Sequence, residues 1–136
     1  MSLLLDTNVI SETTKTTPNP RVLHFLANLG RAHISVVSIH EIHFGICRMP
    51  MGRRRSALAT YMEGLLASFD KTIVDVDRSI AYRAGALRAG AQAQGRVLQL
   101  ADSLIAATAL ECRFDLATRN VSDFSGLGIT IVNPWD

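Results

Sequence analysis

Residues 3–6 of the chain read Leu-Leu-Leu-Asp, a short apolar run that ends at a carboxylate. A short run that is apolar at every position is typical of a strand in a parallel sheet that is covered on both faces. The acid that follows such a strand lies at its carboxyl end, next to the core. We therefore expect residues 3–5 to form a strand and Asp6 to lie at the edge of the sheet.

Further along the chain, short apolar or β-branched runs alternate with segments of helical character. The pattern predicts helices that begin after Asn19, at a capping box formed by Ser38 and Glu41, near Arg54, after Asp77 and at Asp102. This alternation favours an α/β fold, a three-layer α/β/α sandwich with a central, mainly parallel sheet of about five strands. The other predicted strands cover residues 33–37, 73–76, 116–118 and 129–132, with a loop over 119–128.

Composition limits the classes of protein that the chain can represent. Its 136 residues are 48% apolar and 19% charged, which excludes disorder and suits one domain over residues 1–136. Cys47 and Cys112 are far apart and should be buried free thiols, and Gly85 and Gly90 inside a helix suggest close packing. No apolar run approaches the roughly 20 residues of a membrane span. We expect a cytoplasmic protein without a membrane partner.

Four acids fall where a parallel sheet would bring them together. Ligands bind outside the carboxyl ends of the strands in such sheets. Asp6 ends the first strand, and Glu41 lies in the first turn after the second. Asp102 opens its own helix, and Asp123 follows the exit from the fourth strand. The sequence thus predicts four carboxylates at one edge of the sheet.

Each of these acids also has a purely structural interpretation. Glu41 could only complete the capping box with Ser38, and Asp102 could only favour the positive end of its helix. Asp123 could be a solvated loop residue, and Asp6 could accept a hydrogen bond from the backbone that follows it. If all four interpretations were correct, four acids would lie at the same edge of the sheet by independent coincidences.

Carboxylates that share a site need a cation. Two of them about 4 Å apart repel by roughly 4 kcal/mol at an effective dielectric constant near 20. Such a group must take up protons or bind a metal, and ligands that are all oxygen favour Mg²⁺ or Mn²⁺. Ions of this kind polarise phosphoryl oxygens and generate a hydroxide nucleophile.

Several segments of the chain resemble one family of nucleases. Residues 4–12, LLDTNVISE, look like the opening motif of PIN-domain nucleases, in particular of the VapC-type toxins of bacterial toxin–antitoxin pairs. The likeness continues through residues 38–46, SIHEIHFGI, and 100–109, LADSLIAATA. It closes with residues 117–124, ATRNVSDF, and with Asn133-Pro134-Trp135, and this last part points to the FitB-like subgroup.

The resemblance implies a PIN-like fold and an endoribonuclease that depends on Mg²⁺ or Mn²⁺. Asp6, Glu41 and Asp102 match the three acidic positions of the family, which implies that they bind the metal and act in catalysis. The implied products carry 5′-phosphate and 3′-hydroxyl ends. The implied partners are an RNA substrate, a cognate antitoxin, a second copy of the chain in a homodimer and, through the antitoxin, operator DNA.

The fourth acidic position is less clear. By its spacing from Asp102, the last carboxylate of the family often falls where this chain has Asn120, whereas Asp123 lies three residues further on. We count Asp123 among the catalytic candidates and Asn120 among the supporting residues. Thr118 matches a hydroxyl position thought to orient site water, and Asn8 either steadies the first acid or makes a turn.

Two other functions were considered, and the sequence argues against the first. A signalling receiver would need adjacent acids after its first strand and a lysine after a late strand, and the chain has neither. A catalytically silent PIN-like scaffold that only binds RNA or protein is the remaining alternative.

The basic run at residues 53–55 is either a surface that binds phosphate or an ordinary solvated face.

Overall fold

The computed structural model describes residues 2–136, which form one sheet flanked by helices. The strands are β1 (Ser2–Leu5), β2 (Arg31–Ser35), β3 (Ile73–Val74), β4 (Asp115–Ala117) and β5 (Ile131–Val132). The helices are α1 (Thr7–Glu12), α2 (Pro20–Ala27), α3 (Val36–Cys47), α4 (Arg53–Ala67), α5 (Arg78–Ala93), α6 (Leu100–Cys112) and α7 (Val121–Phe124). A 3-10 turn at Asp70–Thr72 precedes β3.

The five strands are all parallel and lie in the order β3-β2-β1-β4-β5. Strand β1 is central, with Leu4 paired with His33 on one side and with Leu116 on the other. The chain adds strands on one side of β1 as far as β3, then crosses to the other side for β4 and β5. This reversal places a topological switch point at the carboxyl ends of β1 and β4, where ligands bind in open α/β sheets. The predicted α/β sandwich is confirmed.

Two apolar layers cover the two faces of the sheet. Successive residues of a strand point to opposite faces, and accordingly Leu5 packs in the cluster formed with α1 to α4, whereas Leu4 packs against α6 and α7. Helix α5 lies against α6 through Ala84 and Ala107. Because β1 is buried on both faces, Asp6, the residue that follows it, is also buried.

Several predicted boundaries are wrong, and each error has a local cause. The predicted strand 33–37 ends at Ser35, whose hydroxyl accepts a hydrogen bond from the Val37 N–H at 3.0 Å and caps α3 three residues before the predicted cap at Ser38. The predicted capping box at Ser38 is therefore wrong. Helix α1 follows β1 directly, where no helix was predicted, and α7 lies within the predicted loop.

Two smaller expectations also change. The cysteines are free as expected, but Cys47 is exposed and Cys112 only half-buried. A Cβ atom added at Gly85 or Gly90 would meet nothing within 4 Å, so the predicted close packing is wrong. Within residues 2–136, no helix has both the length and the apolar character needed to cross a membrane.

We predict that Gly85→Ala and Gly90→Ala each raise the free energy of unfolding by about 0.5–1 kcal/mol. Both glycines are exposed inside α5, where alanine reduces the conformational entropy of the unfolded chain. The matched control is Gly95→Ala, because Gly95 has a φ of 73° that alanine adopts only with strain. Urea titrations would measure all three variants, and a destabilised Gly85→Ala or Gly90→Ala protein would show that these positions are packed.

Candidate active site

Asp6 is the first carboxylate at the switch point and is only 5% exposed. It caps α1, since its Oδ1 accepts a hydrogen bond from the Thr7 N–H at 2.8 Å. Its Oδ2 accepts one from the Thr118 hydroxyl at 2.7 Å and a longer one from Asn8 Nδ2 at 3.3 Å. The Asp6 N–H donates to the Ala117 carbonyl at 2.9 Å. The carboxylate is thus fixed to both β1 and β4.

Thr118 follows β4, is fully buried and holds Asp6 in place. Its hydroxyl donates to Asp6 and accepts from the Asn120 N–H at 3.0 Å, with Asn8 Nδ2 3.4 Å away. Asn8 extends the same network, since its Oδ1 accepts from the Arg119 N–H at 3.3 Å. The hydroxyl hydrogen is therefore committed to a carboxylate. This geometry favours a positioning task for Thr118 and Asn8 over the orientation of water.

Glu41 lies in the second turn of α3 and is held from α1. The Thr7 hydroxyl donates to Glu41 Oε1 at 2.7 Å and lies 2.8 Å from the Ser38 hydroxyl oxygen. Ser38 is buried inside α3, and Ser35 caps the helix. Glu41 therefore takes no part in capping α3, and its interpretation as a member of a capping box is wrong. The contact of Thr7 with Glu41 was missed in the sequence, although an Asp-Thr-Asn triplet directly after a buried strand is a signal that could have found it, and Ser38 was assigned to a helix cap instead.

Asp102 is the third residue of α6 and is half-buried. Partial burial and the negative charges of Asp6, Asp123 and Glu41 raise its pKa to about 6. Burial also raises the pKa of Asp6, against the lowering effect of its hydrogen bonds from Thr118 and Thr7, and the charges of Glu41 and Asp123 raise it further. The charges of Glu41 and Asp123 thus act on both Asp6 and Asp102, although these acids lie far apart in the chain.

Asp123 and Asn120 stand at the outer side of this group. Asn120 directly precedes α7, and its N–H binds the Thr118 hydroxyl. Asp123 is an exposed residue of α7, and its N–H donates to the Asn120 carbonyl at 3.1 Å. Both candidates for the fourth position therefore lie at the same end of the sheet.

Arg96 fixes the backbone of this outer segment and was not singled out in the sequence. Its guanidinium donates to the carbonyl oxygens of Ser122 at 2.9 Å, Asp123 at 2.6 Å and Ser125 at 2.6 Å. These bonds satisfy the carbonyls at the end of α7, which a helix leaves without partners. The basic run is likewise partly used inside the protein, because the Arg55 guanidinium donates to the Met49 carbonyl at 3.3 Å.

The four acids fit a hard divalent cation in charge and in donor type. The ion pairs found within residues 2–136 are Lys15–Glu12 and Arg83–Glu111, so none of the four acids has a cationic partner there. Their donors are all oxygen, as Mg²⁺ and Mn²⁺ prefer. As they stand, no three His, Cys, Asp or Glu side chains in the described part of the chain are arranged to hold a metal ion. The carboxylates would have to draw closer together around an ion.

Comparison with known proteins identifies relatives over the whole fold. A family model described as PIN domain matches residues 3–127. The chain is 35% identical to the VapC ribonuclease Y4jK of Sinorhizobium fredii over 98% of each chain, and 32% identical to Toxin FitB of Neisseria gonorrhoeae, again over 98% of each. The structure of FitAB bound to an IR36 DNA fragment superposes with a TM-score of 0.93 at 32% identity, covering 98% of this chain and 96% of that one.

The raised pKa of Asp102 predicts how the stability of the metal-free protein depends on pH. The folded state holds a proton on Asp102 up to a pH of about 6, whereas the unfolded chain releases it near the ordinary value of 3.8. The folded state therefore binds more protons between these values, and stability should fall as the pH rises through this window. Thermal midpoints measured in EDTA should fall less over this range for Asp102→Asn than for the wild type. Equal pH profiles would contradict the raised pKa.

Proposed function

Since the chain belongs to the PIN-domain family, we propose that it is a Mg²⁺- or Mn²⁺-dependent endoribonuclease and the toxin of a type II toxin–antitoxin pair. Its relatives include a VapC ribonuclease and a FitB toxin at 35% and 32% identity over nearly their full length. We take residues 1–136 as one nuclease domain that acts in the cytoplasm. We assign metal binding to Asp6, Glu41 and Asp102.

One observation carries this proposal. Asp6 lies buried at the switch point of a parallel sheet, without a cationic partner among residues 2–136. Burial and the charges of Glu41 and Asp123 raise its pKa, and burial and the charges of Asp6, Asp123 and Glu41 raise that of Asp102. A protein that only needed a stable core would not keep such a group together, because buried charges without partners are costly. The arrangement is understandable if the acids bind a cation.

In the proposed mechanism, each residue of the chain has a separate task. A divalent ion, when bound, would polarise the scissile phosphoryl group and supply an activated water. Asp6 and Asp102 would hold it from β1 and α6, and Glu41 from α3. Thr118 and Thr7 keep Asp6 and Glu41 in fixed orientations through the hydrogen bonds of 2.7 Å. Because these bonds exist before substrate binds, the orientations of the two carboxylates are set in advance, although the acids still have to move closer together when an ion binds.

We predict that Asp6→Asn abolishes metal-dependent RNA cleavage and raises the thermal midpoint of the metal-free protein. Asparagine also caps helices, so α1 should persist, while one negative charge of the cluster is removed. Asp70→Asn is the matched control, because Asp70 is an exposed acid in the turn before β3, at the opposite edge of the sheet. Cleavage of labelled RNA with Mg²⁺ or EDTA would measure the effect. Wild-type cleavage by folded Asp6→Asn would refute the metal assignment, and RNA binding by the wild type without any cleavage would favour a silent scaffold.

A second set of variants tests the fourth position. We expect Asp123→Asn to reduce cleavage less than Asp102→Asn, because Asp123 is exposed while Asp102 is half-buried among the acids. Asn120→Ala should also reduce cleavage, since the side-chain amide could hold a water at the site. Rates at several Mg²⁺ concentrations would separate weaker metal binding from slower chemistry. An Asp123→Asn protein as impaired as Asp102→Asn would assign the fourth position to Asp123.

An inhibitory partner follows from the proposed function, because a general ribonuclease free in the cytoplasm would damage its own cell. The structure offers a groove for such a partner between α1, α3 and α4, with a volume of about 320 Å³. Its lining combines Glu41 with apolar side chains such as Ile46 and Met62. An antitoxin segment could bury apolar side chains there and place an arginine or lysine against the acids. We propose a homodimer of this chain that binds operator DNA through the antitoxin.

Co-expression tests this partnership. We expect the product of the gene immediately upstream to co-purify with this chain and to suppress its cleavage of RNA. A chain that purifies alone and is not inhibited by that product would refute the partnership while leaving the ribonuclease activity open to direct measurement.

A further inference from the structure

Arg119 is a cationic residue whose backbone adjoins the acidic cluster. It directly follows Thr118, whose hydroxyl binds Asp6, and its own N–H binds Asn8. Because β4 is parallel to β1, this places Arg119 at the same edge of the sheet as the acids. The side chain is exposed.

Trp135 holds the guanidinium of Arg119 in one place. The Arg119 Cζ atom lies over the indole ring, 5.2 Å from its centroid, within the range of a cation–π interaction. Trp135 is itself anchored. Its side chain packs against the apolar cluster of α1 to α4, and its backbone N–H donates to Asn133 Oδ1 at 3.0 Å. One face of the guanidinium is therefore covered by a ring that the core supports.

The hydrogen-bond donors of this guanidinium are not used by the protein. Within residues 2–136 the Arg119 side chain has no hydrogen-bond or ion-pair partner. The pKa of Glu12 is lowered mainly by its hydrogen bonds with Lys15 and with the Asn19 N–H, each at 2.8 Å, and least by the charge of Arg119. The structure thus orients a planar cation, without hydrogen-bond partners among residues 2–136, on a residue whose backbone adjoins the Asp6 network.

We propose that Arg119 and Trp135 form a nucleotide-binding subsite, here called the Arg119–Trp135 platform. It binds a backbone phosphate of single-stranded RNA adjoining the scissile bond, and it rests on the proposed ribonuclease function. The planar guanidinium matches the oxygens of a phosphate in a bidentate arrangement, and its outer face can stack a base. Trp135 acts as a positioning residue, since it orients the guanidinium that contacts RNA.

The platform also answers an electrostatic requirement. A cluster of four acids repels the polyanion that it is meant to cleave, so the phosphates on either side of the scissile bond need a fixed positive charge nearby. Charges more than about 10 Å apart are largely screened at 0.1 M salt, so this requirement is met only by a cation held near the site. Arg119 is separated from the Asp6 network by a single backbone step.

The test is the binding of a short labelled single-stranded RNA of mixed sequence, measured by fluorescence anisotropy in EDTA so that no cleavage occurs. Arg119→Gln should lower the slope of log K against log salt by about 0.7, the value of one phosphate contact on single strands. At 0.1 M salt this corresponds to about fivefold weaker binding. Arg119→Lys should keep the slope and bind with intermediate affinity, since it retains the charge without the planar fork.

The matched control is Arg31→Gln. Arg31 is an exposed arginine at the start of β2, at the opposite edge of the sheet, and its loss removes the same charge from the protein. Its slope and affinity should match the wild type. Equal effects of Arg31→Gln and Arg119→Gln would reduce the role of Arg119 to net charge and overturn the platform.

Trp135 provides a second measurement, because it is the single tryptophan of the chain. RNA should change its emission in the wild type and in Arg31→Gln, and this change should be lost in Arg119→Gln. Trp135→Phe should keep RNA affinity within about twofold, since phenylalanine also attracts cations, whereas Trp135→Leu should lower it with the circular dichroism spectrum unchanged. Unaltered emission on saturation with RNA would overturn the platform.

The outcome separates the platform from the function on which it rests. If the wild type cleaves RNA with Mg²⁺ while Arg119→Gln binds and cleaves like the wild type, the ribonuclease stands and the platform fails. If Arg119→Gln binds RNA more weakly with the predicted slope but the wild type never cleaves, the platform stands and the ribonuclease fails. A wild type that does not bind RNA even at low salt overturns the platform.

Discussion

The buried carboxylate of Asp6 is the constraint on which the rest of the site depends. It follows the central strand and forms no ion pair within residues 2–136, and the fold compensates with hydrogen bonds from Thr7, Asn8 and Thr118. These donors favour the ionised form, while burial and the neighbouring acids oppose it. The balance leaves Asp6 fixed in position but electrostatically unsatisfied, and this is the condition in which a carboxylate gains most from a metal ion.

Topology explains how residues from four distant parts of the chain reach this point. Strand β1 is central, and the chain leaves it in one direction for β2 and returns on its other side as β4. Helix α6 comes before β4 and runs antiparallel to it, so its first turn, which carries Asp102, lies at the carboxyl ends of the strands. A sheet with the same strands in another order would separate Thr118 from Asp6, and the carboxylate would lose its shortest hydrogen bond.

The sequence was sufficient to predict the sheet and the position of Asp6 at the end of its central strand, because a short apolar run and an acid that follows it are local signals. It was not sufficient at the junction of β2 and α3. Val36 and Val37 favour a strand by their own propensity, yet the Ser35 hydroxyl captures the Val37 N–H and starts a helix. That choice depends on tertiary packing, and it decides whether Glu41 is a capping residue or part of the site.

The same reasoning applies to α1, which has only six residues and would be unstable alone. It exists because Asp6 caps it and because Val9 and Ile10 are buried beneath it. The carboxylate that starts this helix is also the one expected to bind the metal, so the fold and the chemistry share a residue. A cation bound by Asp6, Glu41 and Asp102 would relieve their mutual repulsion and stabilise the native state by mass action. Folding and activity of this protein are therefore coupled through the same group of charges, and an acid lost from the cluster should make the metal-free protein more stable and less active at once.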